Sequence, residues 1–121
     1  MGRILLVEDD DSVRSFVARA LSLDGHEIVE AENGGIGLEA ALADEEGFDL
    51  VLTDIMMPEM DGIEMSRSIA RARPSQKILM MTGYANQRER AEELSAIVID
   101  VVQKPFTLPV IRKHVAQALL A

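Results

Sequence analysis

Residues 49–62 read DLVLTDIMMPEMDG, an apolar run that drives into a carboxylate and then into a turn. Leu50, Val51 and Leu52 predict a strand buried on both faces, as in parallel sheets, and Thr53-Asp54 puts an acid at its carboxyl end. Open α/β sheets keep their ligand sites at that end. Proline has no N–H to give a ladder, so the chain turns at Met57-Pro58, and Asp61-Gly62 reads as the entry to a helix. A lone Asp after a strand is more often a cap or turn former than a reactive group. Asp54 is not alone, and the rest of the chain supplies its company.

Upstream, the apolar run 3–7 predicts a first strand that ends in Glu8-Asp9-Asp10-Asp11, four acids in succession. Val13, Phe16, Val17, Ala20 and Leu21 then recur at three- and four-residue intervals, an amphipathic helix over 12–23 capped by Asp10 or Asp11 and stopped by Asp24-Gly25. Residues 26–31 predict a strand near one edge. Asn33-Gly34-Gly35 turns the chain into a second helix carrying Ile36, Leu38, Ala41 and Leu42, which ends at Glu45-Glu46-Gly47.

Downstream of Asp54, Ile63, Met65, Ile69 and Ala70 mark a third helix, closed by Arg71, Arg73 and Pro74. Residues 77–82 predict a strand ending in Thr82-Gly83. Residues 86–94 are so charged that their helix must face solvent, and it should be the least stable one. The β-branched run 97–102 predicts a fifth strand despite Asp100. Gln103-Lys104-Pro105-Phe106 breaks it before a last helix, 108–120. Five strands alternating with five helices through short connections imply an α/β fold: a doubly wound parallel sheet with right-handed crossovers, in one domain spanning 1–121.

Composition narrows the function. A formal charge of −9 with no basic cluster argues against nucleic acid and anionic membrane surfaces as partners. The lack of cysteine rules out disulfides and thiolate metal sites and suits the cytoplasm. The opening MGRILLVEDD reads as neither a signal peptide nor a membrane span. His26 and His114 are too far apart and too short of acid partners for catalysis, so both read as surface residues. The six methionines from Met56 to Met81 read as core and loop packing. Arg71, Arg73, Arg88 and Arg90 read as solvated helix positions.

If the strands run parallel, Glu8, Asp9, Asp54, Thr82 and Lys104 share one rim. Crowded carboxylates repel one another unless a cation neutralises them, and Mg2+, which takes few carboxylates and keeps its waters, fits best. That leaves Asp54 able to share the metal and to act as nucleophile towards a phosphoryl group. Lys104 and the Thr82 hydroxyl would hold the phosphoryl oxygens, and Gly83 would leave room for them.

VEDD at the first strand end, TDIMMPEMDG at the third, MTG at the fourth and QKPF at the fifth stand in the order and near the spacing of the response-regulator receiver domain, which the chain resembles over its whole length. The resemblance implies a flavodoxin-like or CheY-like sheet of order 2-1-3-4-5, phosphorylation of Asp54, and Mg2+ held by Glu8, Asp9, Asp54 and the main-chain carbonyl of Met56. It also implies that Lys104 contacts the phosphoryl group, that Thr82 is the switch hydroxyl, and that Lys104-Pro105 is cis. The partners implied are a sensor histidine kinase or histidine phosphotransfer protein, and a downstream protein met through the fourth helix, fifth strand and fifth helix. The chain would thus be a signalling module, not an enzyme acting on external substrates.

Val101 stands where many receivers carry Tyr or Phe, so the usual aromatic switch is missing. Tyr84, two residues after Thr82, is a candidate to take over part of that role or to shield the phosphoryl group from water. These features resemble CpdR-like stand-alone receivers, which regulate through protein contacts. Three rivals stand beside this reading. A haloacid dehalogenase-type phosphohydrolase wants a second acid where Met56 sits, and a flavodoxin-like electron carrier wants a Ser/Thr/Gly-rich loop where Glu8 to Asp11 would repel phosphate. The third, a receiver piece of a larger hybrid kinase or transcription regulator, stays open.

Overall fold

The computed structural model describes residues 2–43, 45–84, 89–91 and 93–121. Five strands, β1 (Arg3–Val7), β2 (Glu27–Ala31), β3 (Leu50–Asp54), β4 (Ile78–Thr82) and β5 (Val98–Gln103), form one sheet in the order β2-β1-β3-β4-β5. Every pairing is parallel. The strands alternate with α1 (Asp11–Ser22), α2 (Gly34–Ala43), α3 (Gly62–Ala72) and a C-terminal helix (Leu108–Leu120). The β4–β5 connection is helical at Glu89, Arg90 and Ala91.

The two faces of the sheet account for the apolar pattern. Along β1, Leu5 and Val7 face one way and join Val51, Met80, Val101 and the inner sides of α2 and α3, including Met65 and Ile69. Ile4 and Leu6 face the other way, with Leu52, Leu79 and Met81, against Val17 and Leu21 of α1 and Ile111 and Val115 of the C-terminal helix. All five residues of β3, and all five of β4, are buried. A strand covered on both faces can be apolar without alternation, which is why these two runs were legible as interior strands. Edge strand β2 carries the mixed pattern expected for its place.

Helix starts follow local chemistry. The Asp10 carboxylate accepts from the amides of Ser12 and Val13 at 2.9 and 3.1 Å, so α1 begins one residue earlier than the periodicity predicts. Asp61 caps α3 by accepting from Glu64 N at 2.9 Å. Asn33 Oδ1 accepts from Ile36 N at 2.8 Å, which places Gly34 and Gly35 inside the first turn of α2 rather than in a separate turn. A Cβ at Gly34 would stand 2.3 Å from the Met60 carbonyl oxygen, so only glycine lets α2 support the loop after β3.

Other expectations shift or fail. β2 starts at Glu27, and His26 instead accepts a hydrogen bond on Nδ1 from Gly2 N at 3.0 Å. β5 runs 98–103, one residue late, with a register irregularity at Ile78/Leu79. Part of the predicted helix 86–94, with Arg88, lies outside the described residues. Within it Ala91 and Leu94 are buried, and residues 93–97 form turns, not helix. His114 is half-buried, its Nδ1 lying 3.8 Å from Asp100 Oδ2, so it does have an acid neighbour, on β5. Nor are two arginines simply solvated: Arg73 donates to the Glu45 carbonyl at 2.7 Å, and Arg90 pairs with Asp61 at 3.1 Å. The methionines divide, with Met57, Met65, Met80 and Met81 in the core and Met56 47% exposed.

Candidate functional site

The carboxyl ends of β1, β3, β4 and β5 open on a cleft of about 780 Å3. Its lining includes Glu8, Asp9, Asp54, Met56, Gly83, Tyr84 and Lys104. The parallel register brings them there, because β1 and β3 pair through Val7 and Thr53 and so end side by side. Carboxylate oxygens of Glu8, Asp9 and Asp54 lie within 4.8 Å of one another. Lys104 Nζ sits 3.3 Å from Glu8 Oε1 and 3.3 Å from Asp54 Oδ2, bridging the two buried acids.

The two oxygens of Asp54 are held differently. Oδ1 accepts from Ile55 N at 2.9 Å, which fixes the carboxylate plane, while Oδ2 faces Lys104. Gly62 lies against the main chain behind it: Gly62 N donates to Ile55 O at 2.8 Å, and a Cβ there would fall 2.1 Å from the Asp54 carbonyl oxygen. Burial pushes the Glu8 carboxyl up from its ordinary 4.5 to about 7, the Asp54 charge pushes the same way, and Lys104 opposes both. Three acids against one lysine leave the cluster short of positive charge. Its donors are all hard oxygens, the set that suits Mg2+ or Ca2+ and not a thiophilic metal.

The structure thus brings Glu8, Asp9, Asp54 and Lys104 together as the sequence suggests, with Met56 at the cleft wall and Lys104-Pro105 in the cis form. Thr82 stands differently. It is buried, and its hydroxyl accepts from Tyr84 N at 3.1 Å and lies 3.3 Å from Tyr84 O, within its own turn. A Cβ at Gly83 would meet Lys104 Cβ at 3.8 Å, an ordinary contact, so the space there does not depend on glycine. Val101 is buried in the α2/α3-side core and not among the residues lining the cleft, whereas Tyr84 is 59% exposed and lines it.

Sequence periodicity misplaced or missed others. Phe16, counted as core-facing, is 43% exposed and joins Val13, Pro105 and Phe106 on the apolar side of the cleft. Arg14 donates from Nη1 to the Glu8 carbonyl at 2.7 Å. Its i, i+3 spacing from Asp11 was a signal for a helix pair, though not for a contact with the strand end.

A buried acid with one oxygen held by an amide and the other faced by a lysine is suited to receiving a phosphoryl group. Residues 4–116 match the family described as response regulator receiver domain, and the chain belongs to that family, the phosphoacceptor component of two-component signalling. It is 38% identical over 121 residues to the response regulator receiver protein CpdR of Brucella abortus, covering all of this chain and 99% of that protein. It is 38% identical over 119 residues to the regulatory protein AtoC of Escherichia coli, covering 98% of this chain but 25% of that longer protein. Among solved structures it is similar to the response regulator TrrA of Thermotoga maritima in complex with Mg2+ and BeF, with TM-score 0.86, 30% identity, and 98% and 99% of the two chains covered. Among the described residues no helix is long and apolar enough to cross a membrane.

Proposed function

We propose that residues 1–121 act as one receiver domain in which Asp54 takes a phosphoryl group from the phosphohistidine of a sensor kinase or phosphotransfer protein. The observation that carries this reading is the position of Lys104 Nζ, 3.3 Å from both Asp54 Oδ2 and Glu8 Oε1. An oxygen of Asp54 attacks phosphorus, the new O–P bond forms as the P–N bond to the donor imidazole breaks, and the imidazole, protonated on its other ring nitrogen, leaves as the neutral base. With Oδ1 engaged by Ile55 N, Oδ2 is the oxygen offered. Lys104 then moves from pairing two carboxylates to pairing the transferred group, a charge-assisted contact that gains strength as the phosphoryl charge arrives.

Glu8, Asp9 and Asp54, with the Met56 main-chain carbonyl, are the residues that would hold Mg2+. Bound there, the ion offsets the repulsion between incoming phosphoryl oxygens and the acids. Thr82, released from Tyr84, is the hydroxyl that would follow the phosphoryl group, with Gly83 and Tyr84 as the main responding region and Val101, small and in the core, responding less. The output we infer is altered contact with a downstream protein through the segment after β4, through β5 and through the C-terminal helix. A cytoplasmic setting fits a phosphohistidine donor, and a chain of charge −9 has little with which to neutralise nucleic-acid phosphates.

The test is phosphorylation of the purified protein by acetyl phosphate or phosphoramidate with and without Mg2+, followed by intact-mass and peptide mapping. One phosphoryl group should appear, on Asp54, and only with the metal. An adduct of equal yield on Asp54→Asn would remove Asp54 from its role.

A further inference from the structure

Four consecutive acids leave β1, and the Arg14 guanidinium reaches into them from the first turn of α1. Its side chain is only 15% exposed and engages three partners. Nη1 donates to the Glu8 carbonyl oxygen at 2.7 Å, Nη2 to Asp11 Oδ1 at 2.6 Å, and Nε lies 3.4 Å from Glu30 Oε1 on edge strand β2. The Glu8 carbonyl belongs to the Glu8–Asp9 peptide. The amide on the other side of Glu8 donates to Ala31 O at 3.1 Å, so both peptide groups flanking Glu8 are pinned.

Glu8 and Asp54 have their carboxylates fixed directly, by Lys104 and by Lys104 with Ile55 N. Among the described residues the exposed Asp9 carboxylate has no hydrogen-bond partner. Where its Cα–Cβ bond points, and so which way the side chain can reach, is therefore set by the backbone, which includes the peptide that Arg14 holds. We propose that Arg14 is a positioning residue for the metal-facing acids, fixing the Glu8–Asp9 peptide so that Asp9 presents its carboxylate to the cluster. The proposal rests on the phosphoacceptor reading above in that Asp9 is taken as a metal ligand. A planar fork serves three acceptors lying in different directions, and a lysine ammonium at the end of a flexible stem does not reproduce it.

The test is Mg2+ titration by calorimetry of the wild type, Arg14→Lys, Arg14→Gln, Asp9→Asn, and the Arg14→Lys/Asp9→Asn double variant, with Glu30→Gln as control. Losing a group that orients a metal ligand weakens affinity by roughly tenfold. Arg14→Lys should do so although it keeps the charge, and Arg14→Gln should do so at least as strongly. Once Asp9 is neutralised, Arg14→Lys should add no more than about twofold, because the two act through one ligand. Glu30→Gln, which leaves the Glu8 carbonyl bond in place, should stay near wild type. In the metal-free protein, NMR of Arg14→Lys should show the Asp9 and Asp10 amides displaced while the remaining amides keep the pattern of the folded wild type.

Affinity of Arg14→Lys equal to wild type, or losses that add in the double variant, overturns the positioning role while leaving the phosphoacceptor reading intact. A wild type that takes up no Mg2+ at millimolar concentration overturns that reading and this one with it.

Discussion

At Asp54 the fold gives one carboxylate two faces, an amide on Oδ1 and a lysine on Oδ2. Its neighbour Glu8 shows what such crowding costs. With its carboxyl raised to about 7 from an ordinary 4.5, the folded metal-free protein keeps a proton that the unfolded chain has already released between those values. Its contribution is therefore least unfavourable at or below about 4.5, and stability falls as pH rises from there to about 7. The melting temperature of metal-free protein should thus be higher near pH 5.5 than near pH 7.5, and Glu8→Gln should flatten the slope. Mg2+ must displace that proton, so its affinity should rise with pH up to about 7 and then level. Equal slopes for wild type and Glu8→Gln would show that another group governs the dependence. The acids themselves were legible from the sequence, since they stand at or just past the carboxyl ends of apolar strands. Their supports were not: nothing in local periodicity shows that Arg14 reaches back to the Glu8 carbonyl, or that the Thr82 hydroxyl is engaged by Tyr84.

Among the elements, the interior strands β1, β3 and β4 were read to within a residue because burial on both faces leaves an unmistakable apolar run, and α1 and α3 because Asp10 and Asp61 cap them. The limits appear where chain geometry, not pattern, decides. Gly62 looked like a helix-entry residue, yet its reason is contact: the first turn of α3 presses so closely on the end of β3 that a Cβ would lie 2.1 Å from the Asp54 carbonyl oxygen. Because the obstacle is backbone, it cannot rotate aside as a side-chain tip would. Gly62→Ala should therefore destabilise the fold by about 3 kcal/mol and slow phosphorylation by disturbing the Asp54 main chain. Gly35→Ala, whose Cβ would meet only Asn33 Oδ1 at 3.4 Å, is the matched control and should cost little. Urea unfolding of both decides it; equal midpoints would mean that the β3–α3 junction yields without strain.

Across the whole molecule, Asp54 and the segment after β4 are joined by two routes that begin at the cleft. One is the turn in which Thr82 is bonded to Tyr84. The other runs through Gly62 to Asp61, whose Oδ1 caps α3 while Oδ2 accepts from Arg90 at 3.1 Å. A phosphoryl group on Asp54 offers strong acceptors, and the Thr82 hydroxyl, which now donates to the Tyr84 carbonyl at 3.3 Å, can donate to them only by leaving that carbonyl. Tyr84, 59% exposed, has little packing to oppose the movement. Val101 offers small volume to exchange, and it sits in the core beside Met80 and Val98, away from the cleft lining. Adding beryllofluoride and Mg2+ should accordingly shift the NMR amides of Thr82, Gly83, Tyr84 and Arg90 most, with the expected participation of residues 85–88 lying outside the described structure, and should shift Val101 less. In Thr82→Val the mimic should still bind, since Lys104 and the acids remain, but the Tyr84 and Arg90 shifts should shrink together if the hydroxyl drives both. Full-sized Arg90 shifts in Thr82→Val would assign that movement to the Asp61 route instead, and shifts concentrated at Val101 that spare Thr82 to Tyr84 would sink both.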